Sequence, residues 1–262
     1  MEIVYVNVDS ANLYREANYR SAIDSQVVLW EKLERIEKEK QFSYVHCEDG
    51  YKGWVSNHQI CKHDMPIETM KTVTKNHSYI FEKANVLSQV IREVCAGSSI
   101  PLEQIKNDMV KTFLPDGKEG WVRQDSLNEI NGDNRSNLIM LSKRFLGVPY
   151  FWGGKSAKGL DCSGYVQLLH KLVGISIRRD SPMQFEDAVL VSENPLDGQV
   201  GDLLFFAEEG NRITHVAVKL SDSEIIHARG MVRINSLIPG GKDFDKSLLD
   251  DFVAVKTFLN EK

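Results

Sequence analysis

Cys162 stands in the run Asp161-Cys162-Ser163-Gly164, and two histidines, His215 and His227, follow it in β-rich stretches. A thiolate is a strong nucleophile, an imidazole can take and return its proton, and a second polar group can hold that imidazole in place. The set therefore has the parts of acyl transfer through a cysteine. Val166, Leu169, Leu172 and Val173 recur at helical spacing and Gly174 provides a stop, which puts Cys162 at a helix N-terminus. The unsatisfied N–H groups there favour thiolate over thiol and can stabilise an oxyanion. Arg212–Leu220 reads as a strand with His215 on the Ile213/Ala217 face. Glu224–Arg229 reads as the next, with Ser221-Asp222-Ser223 as the turn between them. Adjacent antiparallel strands would bring the two imidazoles within hydrogen-bond reach.

Blander readings compete. A free cysteine is usually a buried small hydrophobe, which is our reading of Cys47, Cys61 and Cys95. The polar, glycine-rich surroundings of Cys162 fit that reading poorly. A Cys/His/His set could also hold zinc, but no fourth ligand is evident, so no metal and no cofactor are expected. His46, His58, His63, His77 and His170 read as surface or locally satisfied residues.

The elements that must carry this set begin after the polar stretch Asn131-Gly132-Asp133-Asn134, a linker by composition. Ser136 is expected to cap a helix through Leu138, Leu141 and Phe145 that ends at Gly147 and Pro149. Ahead of it the chain repeats. At an offset of 67 residues, Tyr14-Arg15-Glu16-Ala17-Asn18 falls on Phe81-Glu82-Lys83-Ala84-Asn85, and Asp49-Gly50-Tyr51-Lys52-Gly53-Trp54-Val55 on Asp116-Gly117-Lys118-Glu119-Gly120-Trp121-Val122. Short β-rich stretches closed by a glycine turn imply a small antiparallel barrel for each copy, with Trp54 and Trp121 filling the cores. Tyr51, opposite Lys118 in the alignment, sits at a turn tip. The expected domains are 1–64, 65–131 and 132–262.

Gly-Val-Pro-Tyr-x-Trp-Gly-Gly from Gly147, Asp-Cys-Ser-Gly from Asp161, Val-Gly-Asp-Leu-Leu-Phe-Phe from Val200, Thr-His-Val-Ala-Val from Thr214 and Ile-His-Ala from Ile226 together resemble the NlpC/P60 cysteine peptidases. The two repeats, each ending in Gly-Trp-Val, resemble bacterial SH3-like domains. The resemblance implies an α+β fold, a papain-like NlpC/P60 catalytic domain preceded by two small all-β SH3-like barrels. It implies Cys162 as nucleophile, His215 as base, His227 as the orienting residue and Tyr150 as an aid to the oxyanion site. With SH3-like units in front, the chain looks like the γ-D-glutamyl-L-diamino acid endopeptidases of murein peptides with a free N-terminal L-alanine. In that subgroup Trp152, Asp161, Ser163 and Ser181 line the substrate pocket. Tyr51 matches a tyrosine that, with a carboxylate, grips the alanine ammonium. Arg20-Ser21-Ala22-Ile23-Asp24 lacks a Glu after the Ser, so that carboxylate is Asp161 alone, Asp24 or Glu16. The alternative is a hydrolase or amidase anchored on polymeric murein.

Composition bounds the rest. With a net charge of −5 and no run of five Lys or Arg, neither nucleic acid nor an anionic membrane is an expected partner, and a diffusing peptide substrate is. Four sparse cysteines and no basic-then-apolar leader suggest reduced thiols in a cytoplasm. Oligomeric state is not legible.

Overall fold

The computed structural model describes residues 2–64, 66–67, 69–127, 130, 132–208 and 210–259. The chain divides into two compact units, one of residues 1–129 with 155–157 and one of residues 130–154 with 158–262. Both copies of the repeat fall within the first. Met65 and Asn131, at the expected domain boundaries, lie outside the described residues.

The first unit is all-β over its continuous part. Strands β1 (Glu2–Val6), β2 (Ser10–Tyr14), β3 (Ile23–Val28), β4 (Lys32–Glu39), β5 (Phe42–Cys47), β6 (Lys52–Ser56) and β7 (Ile60–Cys61) form one sheet in the order β3-β2-β6-β5-β4-β1-β7. The second copy supplies β8 (Met70–Thr72), β9 (His77–Phe81), β10 (Val90–Cys95), β11 (Ser99–Pro101), β12 (Ile105–Lys106), β13 (Met109–Phe113) and β14 (Glu119–Arg123). Its five-stranded sheet runs β10-β9-β14-β13-β12, and β8 pairs with β11. Strands β2, β3, β4, β5 and β6 each start 67 residues before β9, β10, β11, β13 and β14, so the offset holds throughout the copy and not only at its ends.

Gly-Trp-Val has a different logic from the one expected. Gly53 and Val55 are buried while Trp54 is only half-buried, and Gly120, Trp121 and Val122 repeat the pattern. Side chains alternate faces along a strand, so valine takes the core and tryptophan the opposite face, where Trp54 meets Tyr44 at 5.2 Å between ring centroids. The glycine is required by proximity. A Cβ at Gly120 would lie 2.4 Å from the Ile80 side chain and 3.0 Å from the Phe81 carbonyl. Cys47 and Cys95 are buried as expected; Cys61 is half-buried.

After β15 (Lys155–Ser156), which is counted with the first unit, the second unit carries β16 (Gly159–Leu160), α2 (Cys162–Leu172), α3 (Ser181–Asp187), β17 (Val189–Ser192), β18 (Leu203–Phe206), β19 (His215–Lys219), β20 (Glu224–Arg229), β21 (Met231–Ser236), α4 (Lys246–Asp250) and β22 (Phe252–Thr257), with α1 (Asn134–Lys143) ahead of them. Its six-stranded antiparallel sheet runs β17-β22-β18-β19-β20-β21. Every residue of β18 and β19 is buried. One face packs Leu204, Phe206, Ala217, Ile225 and Val255 with Leu248 of α4, and α2 packs against β19 and β20. A sheet covered on both faces has no room for polar alternation, which explains the run Leu203-Leu204-Phe205-Phe206. The α1 cap is Asp133, not Ser136: the Asp133 carboxylate accepts the Ser136 N–H at 2.8 Å, so the helix begins at Asn134. It ends at Lys143, ahead of the expected stop.

Among the described residues no helix is long and apolar enough to cross a membrane, and no group of His, Cys, Asp and Glu is arranged to hold a metal ion.

Candidate active site

Helix α2 opens at Cys162 because Asp161 caps it, with Oδ1 accepting the Gly164 N–H at 2.7 Å. Oδ2 accepts the Gly153 N–H at 2.8 Å. Arg179, itself fully buried, donates to both oxygens, at 3.0 and 2.6 Å, and to Ser163 Oγ at 2.8 Å. A forked, charge-assisted pair of this kind holds the loop before the nucleophile, the helix start and the chain after α2 in one arrangement. It also alters the meaning of Asp161. Expected as an ammonium ligand, this carboxylate is engaged by internal donors and neutralised by a buried guanidinium.

The Cys162 thiol points toward β19, donating to the Thr214 carbonyl at 3.9 Å. Burial pushes it up to about 12, and the Asp161 charge adds to that; the N–H groups of Val216 and Ser163 and the charge of Arg179 oppose. Burial thus opposes the thiolate that the helix end favours. His215 is held well below its ordinary value, first by burial, then by the charges of His227 and Arg229. Both shifts run toward the uncharged thiol and imidazole.

His215 Nε2 lies 2.7 Å from His227 Nδ1. The two strands place both rings on one face, within the buried part of the sheet. His227 Nε2 is 2.9 Å from Asn235 Oδ1 on β21. Burial lowers His227 to about 4, partly offset by that hydrogen bond. That contact leaves Nδ1, the second nitrogen of His215, outside the imidazole pair.

Of the other expected residues, Tyr150 is half-buried, bridged through its backbone to Leu160 two positions before Cys162. Its hydroxyl is pushed up by burial and then by the charges of Cys162 and Asp161, so it stays protonated and able to donate. Ser163 and Ser181 are buried at the starts of α2 and α3, and Trp152 is exposed beside Gly153. Tyr51 belongs to the first unit, half-buried against its core at the turn after Gly50.

Sequence reading missed two residues. They are Arg179 and Asn235, neither of which belongs to any motif singled out in the sequence. The available signal for Asn235 was its place in Met231-Val232-Arg233-Ile234-Asn235, where asparagine is a poor strand former.

The NlpC/P60 family profile matches residues 147–245, a span that holds Tyr150, Cys162, Arg179, His215, His227 and Asn235. A gamma-D-glutamyl-L-lysine dipeptidyl-peptidase of Bacillus cereus is 32% identical over 204 residues, 73% of this chain and 60% of that protein. A protein of the same description from Bacillus subtilis is 33% identical over 186 residues, 68% of this chain and 60% of that one. The matched span thus covers about 60% of the length of these relatives. Dipeptidyl-peptidase 6 of Lysinibacillus sphaericus is 25% identical over 250 residues, 87% of this chain and 89% of that one. A solved NlpC/P60 family protein of Bacillus cereus shares the fold, with a TM-score of 0.86 over 99% of this chain and all of its own at 23% identity. The helix that presents Cys162 and the strands that present its histidines are accordingly those of an NlpC/P60 domain, to which residues 147–245 of this chain belong.

Proposed function

We propose that the protein is a cysteine peptidase that hydrolyses the γ-D-glutamyl bond to a diamino acid in murein peptides with a free N-terminal L-alanine. The observation that carries this reading is the His215–His227 pair at 2.7 Å, with the buried Cys162 at a helix start directed at the Thr214 carbonyl next to His215, within an NlpC/P60 domain. The names of the two Bacillus relatives support the substrate class and make L-lysine the first diamino acid to try.

Cys162 Sγ attacks the γ-carbonyl carbon as its proton passes to His215 Nδ1. The oxyanion is stabilised by the Tyr150 hydroxyl and N–H groups at the α2 start. His215 returns the proton to the departing amine, leaving an acyl-enzyme. Water, deprotonated by His215, then releases the acid and frees the thiol. Trp152, Ser163 and Ser181 contact the substrate. Because Arg179 neutralises Asp161, the alanine ammonium needs a further acid. Asp24 is paired with Arg15, and the Glu16 carboxylate accepts from the Asn18 amide and also feels the Arg15 charge. Each copy of the N-terminal repeat is read as an SH3-like barrel, and the enzyme as cytoplasmic, acting in peptide recycling or degradation.

A second reading, action on polymeric murein, draws on the 34% identity over 94 residues to a probable endopeptidase p60 of Listeria grayi. That match covers only 36% of this chain. Mass spectrometry of products from L-alanyl-γ-D-glutamyl-L-lysine, its diaminopimelate counterpart, an N-acylated form and insoluble murein separates the two. Release of the diamino acid from free-amine peptides alone is expected; solubilisation of murein with no peptide cleavage would overturn the proposal. Cys162→Ala should abolish release and His215→Ala should lower kcat by roughly a thousandfold.

A further inference from the structure

We propose that Asn235 is a positioning residue that fixes the tautomers of both active-site histidines, so that His215 keeps a bare Nδ1 for the thiol. The inference rests on Cys162 and His215 being nucleophile and base.

An imidazole is symmetric enough that either nitrogen can carry the proton when it is neutral, and a pair of them bonded to each other can run in either direction. In one direction His215 Nδ1 is bare and can accept the Cys162 proton. In the other it carries a hydrogen and the site has no base. Something outside the pair must decide.

Asn235 can decide because its own orientation is fixed from two sides. Its Nδ2 donates to the Asp243 carbonyl at 2.5 Å, and its Oδ1 accepts from Arg233 Nε at 2.8 Å. Turning the amide over would set oxygen against oxygen at Asp243 and two donors against each other at Arg233. With Oδ1 held toward His227, the 2.9 Å contact requires a hydrogen on His227 Nε2. A neutral His227 then has a lone pair on Nδ1. The 2.7 Å contact to His215 in turn requires a hydrogen on His215 Nε2, which leaves His215 Nδ1 bare. Each assignment follows from the one before, and the chain starts at a backbone carbonyl that does not titrate.

Neutrality of His227 is part of the device, since an imidazolium would donate from both nitrogens and reverse the second link. Burial opposes its protonation first, and the Asn235 hydrogen bond partly offsets this; the cations of Arg233, directly opposite His227 on β21, and Arg229, two residues along β20, side with burial, and the Asp245 carboxylate, paired with Arg229, opposes them more weakly. The polar residue at a buried strand position is thereby explained: a leucine there would pack, but it would leave the direction of the imidazole pair undetermined.

The direct test needs no substitution. Long-range nitrogen–proton spectra of uniformly ¹⁵N-labelled wild-type protein at pH 7.5, assigned with His215→Ala and His227→Ala, should show both rings in the Nε2–H form. An Nδ1–H form at either ring overturns the assignment. In Asn235→Leu, kcat should fall roughly 10- to 100-fold with KM changed less than about twofold, and the two rings should show mixed tautomers. Unchanged kcat with an unchanged spectrum would also overturn it. Failure of the underlying reading is separable: it appears as retained turnover in Cys162→Ala, whatever the tautomers are.

Discussion

His170 shows what burial does to a base outside the chemistry. It lies on α2, its Nδ1 donates to the Val166 carbonyl at 2.8 Å, its ring edge meets Phe258, and it is lowered to about 4 by burial. An unfolded histidine binds its proton near pH 6.5, so between there and pH 4 the unfolded chain takes up a proton that the folded one refuses. The stability His170 contributes is full above about pH 6.5 and declines as pH falls through this window. His227, also lowered to about 4, adds a second declining contribution over the same range. Urea unfolding at pH 7.5 and pH 4.5 should therefore show a loss of a few kcal/mol, and His170→Gln should shrink the difference by the share of one group. A pH-independent midpoint would contradict burial of the neutral rings. The contrast with Cys162 also explains which residues could be read in advance. Cys162, His215 and His227 declare themselves by type, since few roles suit a cysteine between aspartate and serine. Arg179 and Asn235 acquire their meaning only from partners on other elements, Asp161 for one and His227 for the other.

Helix α2 is positioned by an absence. A Cβ at Gly164 would lie 2.1 Å from the Gly154 carbonyl oxygen, 3.0 Å from Asp161 Oδ1 and 3.2 Å from Arg179 Nη2. The helix start can therefore press on the loop and reach the Asp161–Arg179 pair only if that residue is glycine. Intrinsic propensity pulls the other way, since alanine in a helix is favoured over glycine by about 1 kcal/mol. Gly164→Ala thus has a sign that decides between the two effects. A lower melting temperature with at least about tenfold lower kcat means that the close approach dominates and that Cys162 has shifted. A higher melting temperature with unaltered kcat would mean that the contact is dispensable. Helix periodicity gave the span of α2 and its stop at Gly174, because apolar spacing and a left-handed glycine are local signals. The start of α1 was misplaced because Asp133 and Ser136 are both good caps, and only the hydrogen bond between them says which one acts.

At the scale of the whole chain, the repeat was visible in two short matches, but what joins its copies was not. Trp30 follows β3 with φ +67°, a left-handed conformation that costs a residue with a side chain roughly 1–2 kcal/mol. Its counterpart 67 residues on is Gly97, at φ +85°. The first copy therefore carries a large side chain where the backbone favours none. The gain is burial: Leu29 and Trp30 pack into the core of the second copy with Ile80, Val94, Val110 and Val122, and the indole N–H donates to the Phe113 carbonyl at 3.0 Å. His63 and Tyr5 close around the same indole at 4.8 and 5.4 Å between centroids. Each copy thus keeps a core of its own, and the first lends Leu29 and Trp30 to that of the second, within a single compact unit. Trp30→Ala should cost about 3–5 kcal/mol, read from urea unfolding. Trp30→Gly loses the same burial but relieves the backbone, so it should be the more stable of the two variants by about 1 kcal/mol. In wild type the amides of Val55 and Val122 should exchange with similar opening free energies; in both variants Val122 should exchange faster than Val55, because the second core loses a wall. Equal stability of Trp30→Ala and wild type would mean that the indole is incidental, and Trp30→Ala more stable than Trp30→Gly would mean that the left-handed backbone is not where the strain resides.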